Sequence, residues 1–286
     1  MTNYAIETDD LVKEFDGFKL GPIDISIPKG TIVGYIGQNG SGKSTTIKLL
    51  LGLLNKDAGS IKILDSSDYN TTQIKDKLGV VFDDLLFPEE MTAVDVERFC
   101  SKVYSKWNKI KFDQLINDFS LDTKKYIKNY SRGMRMKLSL AVALSHDAEI
   151  LILDEPTSGL DPIVREEILD LLLDFMQDEN HTILISSHIL SDLEKIADYI
   201  AFIHNGKVLF FERKDQLEEK YAICSLSDKE VENIDQKAII GKRTHSFGQE
   251  LLVKRNLIPK GIVLEKPSIE KIMIYFAKGE DNKWLL

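Results

Sequence analysis

The sequence is poor in cysteine, in long apolar runs and in excess positive charge, and each shortage excludes a class of protein. Only 2 of its 286 residues are cysteine. Because Cys100 and Cys224 lie far apart, neither a disulfide framework nor a cysteine-based zinc site is expected. No apolar run approaches the ~18 residues that a membrane-spanning helix needs. Lysine and arginine number 37 against 46 aspartates and glutamates, which argues against nonspecific binding to nucleic acid.

The chain also lacks the features of a secreted protein. Its first ten residues, MTNYAIETDD, contain no basic segment followed by an apolar run, which is the pattern of a secretory signal. Two unpaired cysteines are compatible with a reducing compartment. We therefore expect a cytoplasmic protein that does not cross a membrane by itself and that does not bind nucleic acid.

What the sequence does contain is an alternation of short apolar strands with helical patterns. The predicted strands are residues 31–36, 61–64, 78–82, 150–153, 182–186 and 200–203, and the predicted helices are residues 45–54, 164–175 and 191–197. This alternation predicts an α/β core around a parallel sheet. The first 30 residues have turn signals such as Asp16-Gly17 and predict a small antiparallel β-subdomain.

Two stretches depart from this alternation. Residues 88–144 show helical periodicity without a clear strand, which predicts a helical subdomain inserted at about residues 84–145. After Glu212, short apolar pieces lie between charged turns, and a last helix is predicted from Pro267-Ser268. We therefore predict a domain of residues 1–212 and a small α+β extension of residues 213–286. The extension could be regulatory, could stabilise a dimer, or could be purely structural.

Residues 37–44, GQNGSGKS, match the phosphate-loop pattern GxxxxGK[ST] at every fixed position. Glycines let the backbone approach phosphate oxygens, and the N–H groups of the loop and of the following helix point toward the anion. A glycine-rich turn without a ligand would not need the strand before it and the helix after it, both of which are predicted here. We therefore predict a P-loop NTPase that binds ATP and Mg²⁺. Its predicted nucleotide ligands from this loop are Gly37, Asn39, Gly40, Ser41, Gly42, Lys43, Ser44 and Thr45.

Four further segments resemble the ATPases of ABC transporters. Residues 130–134, YSRGM, occupy the place of that family's LSGGQ signature and keep its serine and second glycine, Ser131 and Gly133. Residues 150–155 resemble the Walker B strand with the catalytic glutamate after it, residues 158–161 resemble the D-loop, and His188 falls at the switch histidine. The order and spacing of these segments agree with the family over about residues 5–210.

The resemblance implies a role for each of these residues. Lys43 would reach the β- and γ-phosphates, Glu155 would be the general base and His188 would hydrogen-bond the γ-phosphate. Mg²⁺ would be held by Ser44 and Asp154. Ser131 and Gly133, with Asp161 of the D-loop, would bind the ATP of a second subunit, so that two ATP molecules become part of a dimer interface. By itself, Ser131 could equally be a helix cap.

Two positions leave alternatives open. Phe15 falls where the family has an aromatic ring that stacks on adenine, but it could instead pack on the core of a sheet. Asp83 falls where the family has the Q-loop glutamine, and it could take that residue's place at Mg²⁺. Alternatively Asp83 points to solvent, with Asp84 or nothing in the place of the glutamine.

The resemblance implies an ATPase subunit that energises transport by ATP-driven dimerisation beneath a separately encoded permease, at the cytoplasmic face of the membrane. The partner ATPase would be a second copy or a homologue, and the helical subdomain, including residues 86–98, would dock on the permease. The YSRGM form and residues 187–194 and 267–270 are similar to ABC-2-type exporters, including those for amphipathic peptides, which favours export.

The alternative function is that of a soluble ABC ATPase acting on ribosomes or DNA. Ribosome-acting relatives usually carry two cassettes, whereas this chain has a single phosphate-loop motif. DNA-repair relatives have a long coiled coil between that motif and the signature, and the intervening segment here is too short for one. A binding-only protein is disfavoured because Lys43, Asp154, Glu155 and His188 are all present.

Overall fold

The computed structural model describes residues 4–245 and 248–280, and the chain divides into two compact units, Met1–Val208 and Leu209–Leu286. The strands that begin in the first unit are β1 (Tyr4–Phe15), β2 (Phe18–Pro28), β3 (Ile32–Ile36), β4 (Ala58–Ile63), β5 (Leu78–Val81), β6 (Ile150–Asp154), β7 (Thr182–Ser187), β8 (Tyr199–His204) and β9 (Lys207–Arg213). Its helices are α1 (Lys43–Leu50), α2 (Thr72–Lys75), α3 (Ala93–Val103), α4 (Lys109–Asp118), α5 (Arg132–Leu144), α6 (Pro162–Phe175) and α7 (Leu190–Ile196).

A six-stranded sheet with the order β5-β6-β7-β3-β8-β9 forms the centre of this unit. The pairs β5–β6, β6–β7, β7–β3 and β3–β8 are parallel. Every residue of β3, β6 and β7 is buried, as expected for strands that are covered on both faces. The predicted α/β core with a parallel sheet is confirmed.

The predicted antiparallel subdomain is also confirmed, and it is larger than expected. It is a three-stranded sheet with the order β2-β1-β4, in which both pairs are antiparallel. Residues 61–64 are predicted as a strand, and the strand found there, β4, pairs with β1 rather than with the central sheet. The reason is non-local: Ile6, Thr8 and their neighbours in β1 offer β4 an antiparallel partner.

The segment between β5 and β6 contains α3, α4, a 3₁₀ turn (Ile127–Asn129) and α5, which confirms the inserted helical subdomain. Helix α3 begins at a capping box: the Thr92 hydroxyl accepts a hydrogen bond from the Asp95 N–H, and the Asp95 carboxylate accepts one from the Thr92 N–H. The Thr92 hydroxyl also donates to the Asp95 carboxylate, and this bond, together with the one from the Thr92 N–H, holds the pKa of Asp95 below its usual value. Helix α5 packs against β5, so the insert is attached to the edge strand of the central sheet.

Helix α1 is shorter than predicted and ends at Leu50 rather than at residue 54. Gly52 adopts a left-handed φ of 67°. Its N–H donates to the Leu49 carbonyl, and the N–H of Leu53 donates to the Lys48 carbonyl, at 3.0 and 2.8 Å. These bonds form a Schellman motif, which satisfies the last carbonyl groups of the helix and turns the chain away.

The second unit contains α8 (Lys214–Lys220), β10 (Tyr221–Leu226), α9 (Asp228–Val231), β11 (Ile239–His245), β12 (Gly248–Lys254) and α10 (Ile269–Glu280), with 3₁₀ turns at Gln236–Ala238 and Arg255–Leu257. The strands form an antiparallel sheet with the order β10-β12-β11. Ala222, Cys224 and Leu251 lie in its apolar core. Within the parts of the chain that the structure describes, no helix combines the length and apolarity needed to span a membrane.

Candidate nucleotide-binding site

The phosphate loop leaves the carboxyl end of β3 and leads directly into α1. Its last residue before the helix, Gly42, is the N-cap and has a left-handed φ of 113°. A Cβ atom at this position would lie 2.5 Å from Cδ1 of Leu20, so both conformation and space require glycine. Below the loop, the buried Tyr35 hydroxyl lies 3.1 Å from Oγ1 of Thr46 and fixes the first turn of α1. Burial raises the pKa of this tyrosine.

Lys43, the first residue of α1, is folded back over the loop. Its Nζ donates hydrogen bonds to the carbonyl oxygens of Gly37 and Gln38, at 2.7 and 3.3 Å. The same Nζ lies 3.1 Å from Oε1 of Glu155, an ion pair that lacks the alignment of a hydrogen bond. The lysine side chain is only 5% exposed. Its charge is therefore balanced by the protein in this structure.

Glu155 follows β6 and connects the phosphate loop to His188. It has a φ of 54°, the left-handed region, and its N–H is fixed by the Ser186 hydroxyl at 3.1 Å. Its Oε2 lies 2.6 Å from Nδ1 of His188 and 3.3 Å from the backbone N of that residue. One carboxylate is thus held between the lysine and the histidine.

Two further carboxylates were predicted to hold Mg²⁺, and they differ in environment. Asp154 is 3% exposed, and its Oδ1 accepts a hydrogen bond of 2.6 Å from the Ser186 hydroxyl. Asp83 lies in the wall of a cleft that Lys43 and Glu155 also line. In the part of the chain that the structure describes, the Asp83 side chain has no ion pair and no hydrogen-bonding partner. The neighbouring Asp84 pairs instead with Arg135, at 3.8 Å.

A cleft of about 650 Å³ brings most of the predicted site residues together. The predicted residues in its wall are Phe15, Asn39, Gly40, Gly42, Lys43, Ser44, Thr45, Asp83, Glu155 and His188. Four residues that were not predicted also line it: Phe18, Gln38, Arg132 and Ser158. Three of these lie inside the motifs recognised in the sequence: Gln38, Arg132 and Ser158. Phe18 follows the Asp16-Gly17 turn signal and pairs with Phe15 across the β1–β2 turn.

Six predicted residues lie outside the wall of this cleft: Gly37, Ser41, Ser131, Gly133, Asp154 and Asp161. Gly37 and Ser41 belong to the turn of the phosphate loop. Ser131 caps α5 by accepting a hydrogen bond from the Met134 N–H at 3.2 Å. Asp161 caps α6 by accepting from the N–H groups of Ile163 and Val164, at 3.1 Å. The capping alternative for Ser131 is therefore present in the structure, and a contact with a second subunit's nucleotide remains a prediction.

Phe15 has the geometry of a ring at the edge of a site rather than in a core. It is 44% exposed, its ring centroid lies 6.4 Å from that of Phe18, and Nζ of Lys13 lies 5.7 Å from the same centroid. The exposure argues against the core-packing alternative. Stacking of this ring on adenine remains a prediction.

The cleft fits a magnesium nucleotide in size and in chemistry. Its volume is in the usual range for small-molecule sites, and the first-turn N–H groups of α1, including those of Ser44 and Thr45, have no partner within the helix. The buried Ser41 hydroxyl has no hydrogen-bonding partner in the described structure. No group of three or more His, Cys, Asp or Glu side chains in the described segments could hold a metal. Mg²⁺ would therefore depend on a hydroxyl, on single carboxylates and on phosphate oxygens.

Comparison with known proteins identifies the family. A family model described as ABC transporter matches residues 20–158. The bacitracin transport ATP-binding protein BcrA of Bacillus licheniformis is 36% identical over 231 residues, which cover 78% of this chain and 76% of that protein. The lantibiotic transport ATP-binding protein SrtF of Streptococcus pyogenes is 35% identical over 207 residues, which cover 71% of this chain and 89% of that protein.

A solved structure described as the ATP-binding subunit of an ABC transporter has the same architecture. It superposes with a TM-score of 0.68 at 26% identity and covers 75% of this chain and 92% of that chain. Sequence and fold thus agree with the motifs that surround the cleft, and the chain belongs to the ABC transporter family of ATP-binding proteins.

Proposed function

We propose that the chain hydrolyses ATP and uses the energy to drive transport, as an export ATPase, through a separately encoded permease. The observation that carries the proposal is the position of Glu155. This carboxylate follows a buried strand, lies in the cleft, and contacts both the phosphate-loop lysine and His188. The relatives named for bacitracin transport and lantibiotic transport support a peptide antibiotic or a similar amphipathic compound as the class of cargo.

In the proposed reaction, Lys43 and His188 exchange their protein partners for phosphate oxygens. Both groups contact the Glu155 carboxylate in this structure, and a nucleotide brings competing negative charge into the cleft. Once released, Glu155 is placed to accept a proton from the attacking water. Ser44, Asp154 and Asp83 would hold Mg²⁺, which supplies neutralisation of phosphate charge.

The chain would act as a dimer, with itself or with a homologous ATPase. Ser131 and Gly133 lie outside the cleft of their own subunit at the start of α5, where the N–H groups of a helix favour an anion. A second subunit's ATP would supply that anion. The closed dimer would then form only around two ATP molecules, because each adds contacts that the separate subunits lack.

An apolar groove in the first unit provides a surface for the permease. The groove has a volume of about 370 Å³ and is lined by Leu51, Leu53, Thr72, Lys75, Asp76, Leu78, Val80, Phe82, Val103 and Tyr104. It lies at β5 and at the end of α3, and none of its lining residues belongs to the predicted docking segment of residues 86–98. Its Leu53 and Val103 are more than half exposed. An amphipathic cytoplasmic helix of a permease is the occupant we propose. Attachment through it would place the chain on the cytoplasmic face of the membrane.

The consecutive residues Phe82 and Asp83 connect this groove to the nucleotide cleft. Phe82 lines the groove, and Asp83 lines the cleft. Movement of a helix in the groove would therefore displace a residue of the nucleotide site directly.

The docking surface is tested by introducing a charge into the groove. Leu53→Glu should move tagged protein from the membrane fraction to the supernatant in cells that contain the permease, because a buried carboxylate would oppose docking. ATP binding should be unchanged. Val263→Glu, at an 80% exposed position in the second unit, is the matched control and should stay with the membrane. Equal membrane association of both variants would contradict the proposed surface. Recovery of the wild-type protein with ribosomes or DNA instead of the membrane would favour the soluble alternative.

The role of Asp83 is tested by titrating ATP with and without Mg²⁺. Wild type should gain much affinity on adding Mg²⁺, because Asp83 attracts the metal and repels metal-free ATP. Asp83→Gln should reduce that gain by about three- to tenfold. Asp84→Asn, which changes the neighbouring acid outside the cleft wall, should behave like wild type. The same metal dependence in wild type and Asp83→Gln would show that Asp83 does not serve the metal, and a reduced gain in Asp84→Asn would assign the role to Asp84.

A further inference from the structure

A buried carboxylate connects the two segments that carry Glu155 and His188. Asp192 lies in the first turn of α7 and is 1% exposed. Its Oδ2 accepts a hydrogen bond of 2.7 Å from the hydroxyl of Thr157, which is also 1% exposed. Its Oδ1 accepts a hydrogen bond from Nε of Arg165, on α6, and pairs with Nη2 of the same residue. One side chain therefore joins the loop after β6 to both α6 and α7.

The hydrogen bond between Thr157 and Asp192 lies close along the chain to both proposed reacting groups. Thr157 lies two residues after Glu155, and Asp192 lies four residues after His188. The same two segments also meet at the reacting groups, where Oε2 of Glu155 lies 2.6 Å from Nδ1 of His188. Neither Thr157 nor Asp192 belongs to the wall of the cleft. The hydrogen bond is thus a second link between these segments, made outside the nucleotide cleft.

The loop that contains Glu155 needs support because its backbone conformation is unfavourable. Glu155 has a left-handed φ of 54°, which is costly for a residue with a side chain. Such a conformation persists only where surrounding contacts determine it. The Ser186 hydroxyl, on β7, fixes the N–H of Glu155 at 3.1 Å. The Thr157 hydroxyl fixes the following part of the loop, through its hydrogen bond to α7.

Attachment of α7 to α6 does not by itself account for the buried carboxylate. The two helices are already joined at the surface by Lys195 and Glu166, whose Nζ and Oε2 lie 2.5 Å apart. Burying a charge is costly unless it is paired and hydrogen-bonded, and Arg165 supplies the pairing for Asp192. The remaining oxygen of Asp192 accepts from the loop. This second contact indicates a role in the loop as well as in helix packing.

We propose that Asp192 is a positioning residue for ATP hydrolysis: through Thr157, it holds the Glu155 carboxylate beside His188, where it can accept a proton from the attacking water. This rests on the proposed function, in which Glu155 is the general base. A displacement of about 1 Å in a reacting group can lower a rate about 100-fold. ATP affinity depends instead on the phosphate loop and Lys43. Loss of the hydrogen bond should therefore lower turnover and spare binding.

The test measures ATP hydrolysis and equilibrium binding of Mg²⁺–ATP by Thr157→Val, which nearly keeps the shape of threonine but lacks the hydroxyl. The variant leaves the ion pair of Arg165 with Asp192 in place. Turnover should fall about 10- to 100-fold, while the Kd for Mg²⁺–ATP stays near that of wild type. Thr157→Ser, which keeps the hydroxyl, should retain most of the activity. Glu166→Gln, which breaks the exposed ion pair between α6 and α7, should match wild type.

A double variant separates positioning of the base from a general weakening of the fold. If Thr157 acts through Glu155, Thr157→Val should add little to the loss caused by Glu155→Gln, because the base that it positions is already absent. Phosphate release over a single turnover measures these low rates, and thermal unfolding monitors the fold of each variant. Asp192→Asn, which keeps the size of the side chain without its charge, should show the same two effects.

The outcomes distinguish this proposal from the proposed function. Wild-type turnover by folded Thr157→Val would overturn the role of Asp192 and leave Glu155 as the base. An equal loss in Glu166→Gln, or an undiminished loss in the Glu155→Gln background, would assign the effect to packing and also overturn it. If Thr157→Val does not fold, Asp192→Asn is judged by the same criteria. Wild-type turnover by Glu155→Gln alone would overturn the proposed reaction, and the role of Asp192 with it.

Discussion

Glu155→Gln is expected to slow ATP hydrolysis about 10²- to 10⁴-fold, which is the usual contribution of a positioned general base. The amide has nearly the shape of the carboxylate but cannot accept the proton of the attacking water. ATP binding should be retained or improved, because Lys43 no longer has a negative partner at 3.1 Å and is free to contact phosphate. With hydrolysis blocked, the ATP-bound dimer should accumulate. Phosphate release and sedimentation with ATP and Mg²⁺ measure the two effects.

A matched variant for this experiment is Glu149→Gln. Glu149 immediately precedes β6, the strand that Glu155 follows, and pairs at the surface with Lys77, at 2.7 Å. The Glu149→Gln variant should hydrolyse ATP at the wild-type rate. If Glu155→Gln also turns over ATP at close to the wild-type rate, Glu155 is not the base and the proposed reaction is wrong. If ATP leaves the variant monomeric, the dimer formed around two ATP molecules is wrong.

Lys43→Ala is expected to lower ATP affinity about 10- to 100-fold, because it removes a charge-assisted contact to the phosphates. The variant also leaves Glu155 without its cation in a cleft that must receive an anion, so repulsion should add to the loss. Lys43→Met, which keeps most of the apolar stem of this buried side chain, separates lost charge from lost packing. Equilibrium titration with ATP measures the affinity of each variant.

Lys48→Ala is the control for this second experiment. Lys48 lies on the same helix, α1, but its side chain is exposed and it does not line the cleft. Its substitution should leave ATP affinity within about twofold of wild type, because exposed charges away from a ligand contribute little. ATP affinity of Lys43→Met equal to that of wild type would exclude the lysine as a phosphate ligand.

The local structure around the candidate site could be predicted where its residues are close along the chain. The phosphate loop follows a strand and precedes a helix, and the structure places Gly42, Lys43 and Ser44 where that local pattern requires. The same is true of Glu155, which directly follows a buried apolar strand. In such segments, hydrophobic periodicity and glycine positions determine the local fold.

The remainder depends on contacts between distant segments. Lys43 and Glu155 are far apart in sequence, and only the family resemblance suggested that they belong to one site. The contact of Arg132 with Gly159 depends on how α5 packs beside the loop before α6, which no local pattern encodes. The pairing of β4 with β1 is of the same kind. By contrast, Gly52 is a local signal for the end of α1, and the apolar periodicity continues past it although the helix does not.

The adjacency of Phe82 and Asp83 has a consequence for the tolerance of this segment to change. Phe82 lines the groove and Asp83 lines the cleft, and one peptide bond joins the two residues. Substitutions at either position can alter one cavity and spare the other. An insertion or deletion of a single residue between β5 and this pair would move both side chains from their present positions, so it would alter the groove and the cleft together. The length of this link is therefore under tighter constraint than its composition.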